Sequence, residues 1–170
     1  MFFVLLYNNQ KKIRKELTMI DYLLTYEQIA DAAEQAATQI TKNRIKIKRL
    51  VAISRGGLIP TCLLAQHLNI REIHSLALYS YLPDGTQGDI TVLVKPDVPD
   101  EPETLFVDDL VDGGKTVHYL KQTYPNSSFL PLFSKKLSDD FIVTPCQVPQ
   151  NANVIFPWEL KTTKNRARDR

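Results

Sequence analysis

Two stretches of this chain bring together residue types that do chemistry rather than packing. The richer is Leu105 to Val117, LFVDDLVDGGKTV. An apolar run ends in adjacent carboxylates at Asp108 and Asp109, with a third at Asp112, followed by Gly113, Gly114, Lys115 and Thr116. The glycines allow backbone N–H groups to converge on a phosphate, and Thr116 adds a hydroxyl at the start of a helix. The acids are unsuited to that phosphate. They suit hydroxyl groups, a hydrated divalent cation or a developing positive charge. A sugar phosphate presents both needs at once, a phosphate at one end and a diol at the other. The second stretch follows the apolar run RLVAIS (Arg49 to Ser54), which stops abruptly at Arg55-Gly56-Gly57.

Gly114-Lys115-Thr116 has the ending of a Walker A loop. That motif requires a second glycine five positions before Gly114, where this chain has Asp109. Three carboxylates around a triphosphate would also repel it, so a Walker A reading is rejected. Other residues have plain alternatives. Gly56-Gly57 could serve only as a strand-to-helix turn, and Lys135 beside Lys136 as a solvated pair. Lys115 is expected to be exposed, and Trp158 to pack rather than stack on a ligand. Three acids plus two glycines after a buried strand have no ordinary packing purpose.

The elements that position these stretches read as an alternation. Thr25 precedes a helical pattern in which Ile29, Ala33, Ala36, Ala37 and Ile40 recur on one face. Arg49–Ser54 reads as a strand buried on both faces, and Leu58–Leu68 as a helix with Pro60 in its first turn. Ile73–Tyr81 is a second strand. Leu82 to Glu103, with four prolines, reads as an excursion or hood containing a hairpin arm at Ile90–Val94. Thr104–Val107 is a third strand, and a helix runs from about Thr116 to Thr123, where Pro125 follows. Ser128–Phe133, Phe141–Thr144 and Val154–Phe156 read as further strands. This order predicts an α/β fold, a parallel twisted sheet flanked by helices, with ligands beyond the carboxyl ends of the strands.

Bulk properties narrow the classes. With 170 residues the chain makes one domain; 44% of them are hydrophobic and 24% charged, as in soluble globular proteins. A net charge of +2 gives no field for nucleic acid. Cys62 and Cys146 are isolated, and His67, His74 and His118 form no ligand pattern, so neither a zinc site nor a disulfide framework follows. A reducing cytoplasm is expected. Residues 1–18 read as a dispensable extension: Met1–Tyr7 is apolar but too short to span a membrane, and Met19 stands before the first clear element. The domain proper is expected at 19–160. The tail from Lys161 to Arg170 carries five bases against one acid and reads as a solvated terminus.

Val107–Val117 resembles the phosphoribosyl pyrophosphate (PRPP) motif of the type I phosphoribosyltransferases. ISRGGLIPTCLLAQHLNI (Ile53–Ile70), DDLVD (Asp108–Asp112) and YLLTYEQIADAAEQAATQI near the N-terminus resemble, more closely, the bacterial xanthine-guanine enzymes, and FPWE (Phe156–Glu159) resembles the C-terminal motif of related purine enzymes. The resemblance covers roughly residues 20–160. It implies a Rossmann-like fold with a small hood at about 82–103, and transfer of ribose 5-phosphate from PRPP to a 6-oxopurine (guanine, xanthine or hypoxanthine), with Mg²⁺ as cofactor. Arg55, Gly56 and Gly57 match the pyrophosphate loop, often built on a non-proline cis peptide. Asp108 and Asp109 match the acids facing the ribose hydroxyls, with Asp109 also at the Mg²⁺ position. Leu110, Val111 and Asp112 continue the PRPP motif, Asp112 matching the carboxylate near N7 of the base. Gly113, Gly114, Lys115 and Thr116 match the 5′-phosphate loop. Lys135 matches a donor to the 6-oxo group, and Val154 a backbone contact to the ring. The expected partners are PRPP and a purine base, with no nucleic acid or membrane, in a homo-oligomer.

The chain departs from the family at three places. Gly113 stands where Thr is usual, and Asn153 where close relatives carry Trp. Gly88 and Thr91 fall where relatives have Arg and Lys in the hood, and Leu82 to Glu103 holds six acids with Lys95 as its one base. These predict slow turnover and blurred choice of base, with Lys95 as the one cation able to compensate if it folds inward. A non-catalytic PRPP sensor on the same fold, or a transferase for another nucleobase, is the alternative.

Overall fold

A computed structural model describes residues 19–81 and 87–159. The expected extension 1–18, the hood residues 82–86 and the basic tail lie outside them. In chain order the elements are β1 (Ile20–Leu23), α1 (Tyr26–Lys42), β2 (Arg49–Ser54), α2 (Leu58–Leu68), β3 (Glu72–Tyr81), β4 (Gln87–Val94), β5 (Thr104–Val111), α3 (Lys115–Thr123), β6 (Ser128–Ser134), β7 (Cys146–Gln147) and β8 (Ala152–Ile155).

Glu27–Gln147 forms the larger of two compact units. Its six-stranded sheet has the order β4-β3-β2-β5-β6-β7, parallel throughout except where β4 returns antiparallel along β3. The apolar runs of the central strands are there because both faces are covered. Val51, Ile53, Leu76, Phe106 and Phe129 project to one side and pack with Val117, Leu120 and Tyr124 from α3 and its end. The alternate residues Leu50, Ala52, Leu105, Val107, Leu130 and Leu132 are also buried, facing the opposite side by strand alternation. Burying a side chain of this size stabilises by about 1.5–3 kcal/mol. Helix α1 buries the expected face, Ile29, Ala33, Ala36, Ala37 and Ile40. Helix α2 accepts Pro60 in its first turn and ends at Asn69, whose left-handed backbone (φ 53°) closes the last turn.

The smaller unit comprises, among the described residues, 19–26 and 148–159. Within it β1 and β8 pair in parallel, Ile20 opposite Ala152 and Leu23 opposite Ile155. Phe156 stacks on Trp158 at 4.7 Å between ring centroids, with Tyr26 at 6.4 Å from the same indole.

Three element readings are corrected. Phe141–Thr144 is no strand: Val143 is buried and Phe141 packs edge-on against Phe129, but the segment bends, and only Ile142 donates to the Phe129 carbonyl (3.0 Å) before β7 pairs at Cys146. Those apolar residues plug the core instead of pairing. β5 runs on past Val107 to Val111, because β6 continues to pair with it there. β1 was not expected at all; three of its four residues are exposed, so no burial pattern marks it.

Candidate active site

Parallel strands bring their carboxyl ends to one edge of the sheet, and both chemical stretches lie on that edge. β2 ends at Ser54, and the Ser54–Arg55 peptide is cis, as the resemblance implies. Arg55 is exposed, while Gly56 and Gly57 turn the chain into α2. Neither glycine tolerates a side chain. A Cβ on Gly57 would collide with the Val107 carbonyl oxygen and come within 2.8 Å of that of Ile53. A Cβ on Gly56 would run into the Asp109 carboxylate, with Oδ1 at 2.5 Å. The first clash is with the sheet's own backbone. The second is with an acid of the other stretch, so the two loops touch at this point.

Asp108 and Asp109 stand on β5 just beyond its last paired residue with β2, Val107 opposite Ala52. The Asp109 N–H donates to Asp108 Oδ1 (3.0 Å), and the Leu110 N–H donates to Asp109 Oδ1 (2.7 Å). Asp108 is only 8% exposed. Burial, with the neighbouring Asp109 charge second, pushes its carboxyl well above the usual carboxylate range. Past Val111 the chain turns through Asp112 and Gly113 to Gly114, whose left-handed backbone (φ 78°) starts α3 without any side-chain cap. The first N–H groups of a helix have no acceptor within it, and together with the helix dipole they make this turn suitable for an anion.

Lys135 follows β6, and its N–H donates to the Val111 carbonyl (3.1 Å). Its ammonium meets the Asp112 carboxylate at 3.1 Å, the lysine side chain being 8% exposed and the aspartate 53%. The plain reading of Lys135 as half of a solvated lysine pair is thereby overturned. Beside Asp112 opens a groove of about 370 Å³ lined by Gly113, Gly114, His118, Lys121, Lys136 and Ser138, among others. Sequence reasoning missed the last four. His118 and Lys121 follow Gly114 at helical spacing on α3, which is the one signal that could have found them. An ion pair from Lys121 to Asp140 ties the far wall of the groove to the helix and lowers the Asp140 pKa. Val154 lies in the smaller unit on β8, opposite Tyr22. Asn153 beside it donates to Asp21 Oδ1 (2.7 Å).

The hood residues sort differently from expectation. Asp100 accepts from Asn126 and Ser127, Glu101 pairs with Arg49 (2.5 Å) and Glu103 with Lys48 (2.6 Å). Arg49 and Thr104 begin β2 and β5, so these three acids serve the edge of the sheet opposite the loops. Lys95 sits over the Tyr124 ring, 5.4 Å from its centroid, at the end of α3 remote from Gly114. It does not fold toward the loops. Lys115 in turn is not exposed; it is half-buried, and its ammonium donates to the Gly88 carbonyl (2.6 Å).

No protein-family model matches the chain. Solved structures do. A xanthine-guanine-hypoxanthine phosphoribosyltransferase from Helicobacter pylori superposes with a TM-score of 0.66 at 19% identity, over 88% of this chain and 99% of that one. The fold is that of the type I phosphoribosyltransferases. A purine phosphoribosyltransferase from Pyrococcus horikoshii matches with a TM-score of 0.63 at 20% identity, over 82% of this chain and 95% of that one. A hypoxanthine-guanine phosphoribosyltransferase from Bacillus anthracis gives 0.59 at 22%, over 77% and 84%. The phosphoribosyltransferase fold extends, by these matches, across most of the chain.

Proposed function

We propose that this chain is a purine phosphoribosyltransferase that transfers ribose 5-phosphate from PRPP to a 6-oxopurine and releases pyrophosphate. The observation that carries the reading is the contact of the two loops, the Asp109 carboxylate lying on Gly56 so closely that a methyl group would not fit. One sugar bearing a pyrophosphate on one carbon and hydroxyls on the next would meet both loops at that contact.

In the reaction the bond from C1′ to pyrophosphate breaks and a bond from C1′ to a ring nitrogen forms. The amides of Arg55 and Gly56 receive the leaving group, while the Gly57 N–H stays on the Ile53 carbonyl (2.8 Å) and fixes the turn. Asp108 and Asp109 face the ribose hydroxyls, and their charge favours the cationic character that C1′ acquires. Gly113 to Thr116 hold the 5′-phosphate at the start of α3. Lys135 donates to the 6-oxo oxygen and Asp112 accepts the proton displaced from the ring; a backbone contact from Val154 is what the resemblance implies. Among the described residues no cluster of three or more His, Cys, Asp or Glu could cage a metal. The acid pair fits Mg²⁺ held through Asp109, with its other ligands drawn from PRPP and water. When bound, the ion neutralises charge on the departing pyrophosphate.

The test is pyrophosphate release from PRPP and Mg²⁺ with guanine, xanthine, hypoxanthine, adenine and uracil in turn. Turnover of 6-oxopurines is expected, with adenine disfavoured by a factor on the order of 10⁴ because its amino group would meet the Lys135 donor. The choice among the three 6-oxopurines should be blurred, since Asn153 stands where close relatives carry Trp. Gly114→Val, which the left-handed backbone at that position disfavours, should abolish PRPP binding. Efficient use of adenine alone would refute the base assignment, and undiminished PRPP binding by folded Gly114→Val would refute the phosphate loop. No turnover with any base despite tight PRPP binding would favour the sensor.

A further inference from the structure

The hood strand lacks the basic side chains at positions 88 and 91, and Lys95 is spent on an aromatic ring at the wrong end of α3. One cation nevertheless reaches this strand from elsewhere. Because β4 runs antiparallel to β3, with Gln87 opposite Tyr81 and Val94 opposite Ala77, its Gly88 end lies at the carboxyl edge where the loops are. Between the pairs Tyr79–Thr91 and Tyr81–Gln87, three residues of β4 (88, 89 and 90) face one residue of β3, so the ladder is broken there. A bulge of this kind frees backbone groups from pairing. The Gly88 carbonyl is taken by the Lys115 ammonium at 2.6 Å. Gly88 has no side chain to obstruct that approach, and Lys115 is the first residue of α3, one place after Gly114.

We infer that Lys115 is a positioning residue that latches the hood strand to the phosphate loop, so that occupation of the loop and placement of the hood are coupled through one ammonium group. The inference rests on the proposed reading of the 113–116 loop as a phosphate site. An ammonium has three N–H donors. One engaged by Gly88 leaves two for an anion, so a phosphate on the loop can be contacted without releasing the strand. Lys115 thus delivers from below the positive charge that relatives' hoods are expected to carry themselves. The three acids at 100, 101 and 103 do not oppose it, being bonded at the other edge of the sheet.

Two measurements test this. Hydrogen exchange of the ligand-free protein reads the latch independently of any activity. In Lys115→Met, amides of β4 around Gly88 should exchange about tenfold faster than in wild type, the loss of one charge-assisted hydrogen bond, while β2 and β5 stay protected. Lys115→Arg, which keeps a charged donor, should restore most of the protection. Unchanged β4 exchange in folded Lys115→Met overturns the latch whatever the kinetics show. The second measurement is the split between binding and turnover. Misplaced hood contacts should lower kcat on the order of 10- to 100-fold with PRPP affinity changed far less, since the amide cradle remains. A rise in the Kd for PRPP with kcat intact would make Lys115 a simple phosphate ligand and overturn the coupling. If wild type neither binds nor turns over PRPP, the functional reading fails, and the exchange experiment still decides the latch.

Discussion

The two edges of the central sheet hold similar residues in opposite circumstances. At the amino edge, Arg49 is 12% exposed and meets Glu72 at 2.8 Å, Glu101 at 2.5 Å and the Thr104 hydroxyl at 3.0 Å, while Lys48 answers Glu103. Both cations there face opposite charges, and both Glu72 and Glu103 are lowered in pKa by hydrogen bonds from them. At the carboxyl edge acid lies beside acid, and Asp108 is raised. The glycines differ too. A side chain on Gly57 would strike backbone of the sheet, whereas one on Gly56 would strike the Asp109 carboxylate. The matched charges of Arg49 and Lys48 serve the fold, whereas the matched pair among the loops, Lys135 with Asp112, stands beside the crowded acids. Charges that crowd destabilise the fold, and a cation or an electron-poor sugar relieves the crowding. The comparison predicts that substitutions at one edge change stability and at the other change chemistry.

The pair Gly56→Ala and Gly57→Ala offers the widest separation. In Gly56→Ala the new methyl must displace Asp109, so turnover should fall on the order of 10²-fold or more, as when a transition-state contact is removed. Its melting temperature should move little, because the displaced group is a side chain. Gly57→Ala should cost about 1–3 kcal/mol of stability from a methyl forced against the Val107 carbonyl. Equal loss of stability in the two variants, with activity retained in Gly56→Ala, would erase the distinction between the loops.

A smaller effect is expected at the amino edge. Arg49→Leu removes charge-assisted hydrogen bonds to Glu72, Glu101 and Thr104 and should cost about 1–2 kcal/mol in chemical denaturation. Turnover at a temperature well below melting should be unchanged. A specific loss of kcat without destabilisation would mean that this edge communicates with the loops.

Much of this division was legible in the sequence, and what was not has physical causes. The boundaries of β2 and α2 follow from local signals, a run of buried β-branched residues and a glycine pair before a helix, and local signals suffice there. The cis peptide at Ser54 came through resemblance, since no residue type at that position demands it. Position along the sheet was not legible. The acids of 82–103 read as one negative hood because they are neighbours in the chain, yet Asp100, Glu101 and Glu103 are carried by the return of the chain to the opposite edge. The same holds for Lys95 and Lys115: one stands in the hood and serves Tyr124, the other stands in the loop and serves the hood. Segment charge sums cannot see which end of a strand a residue occupies. Phe141–Thr144 misled for another reason, its apolar residues being as compatible with a plug as with a strand.

The smallest expected effect is a pH dependence that belongs to the carboxyl edge alone. Asp108 has its pKa raised in the folded protein, by burial first and by Asp109 second. A folded protein that binds this proton more tightly than the unfolded chain loses stability as pH rises from the unfolded value toward the folded one. Asp108→Asn keeps the shape and removes the titration. In the absence of ligand it should melt together with wild type near pH 4, where both carry a neutral group at 108. By pH 8 the variant should melt a few degrees higher, about what 1 kcal/mol produces in a chain of this length. Glu103→Gln supplies the opposite sign at the other edge. Glu103 is lowered by its hydrogen bond from Lys48, so its stabilising contribution is present above the unfolded carboxylate pKa and is lost as pH falls. Removing it should therefore cost a little stability at neutral pH and progressively less as pH falls toward its lowered pKa. Melting curves of the three proteins between pH 4 and pH 8 would show the two differences opening in opposite directions. Parallel curves for Asp108→Asn and wild type would mean that the buried acid carries no penalty, and the crowding at the carboxyl edge would have to be abandoned as the feature that distinguishes it.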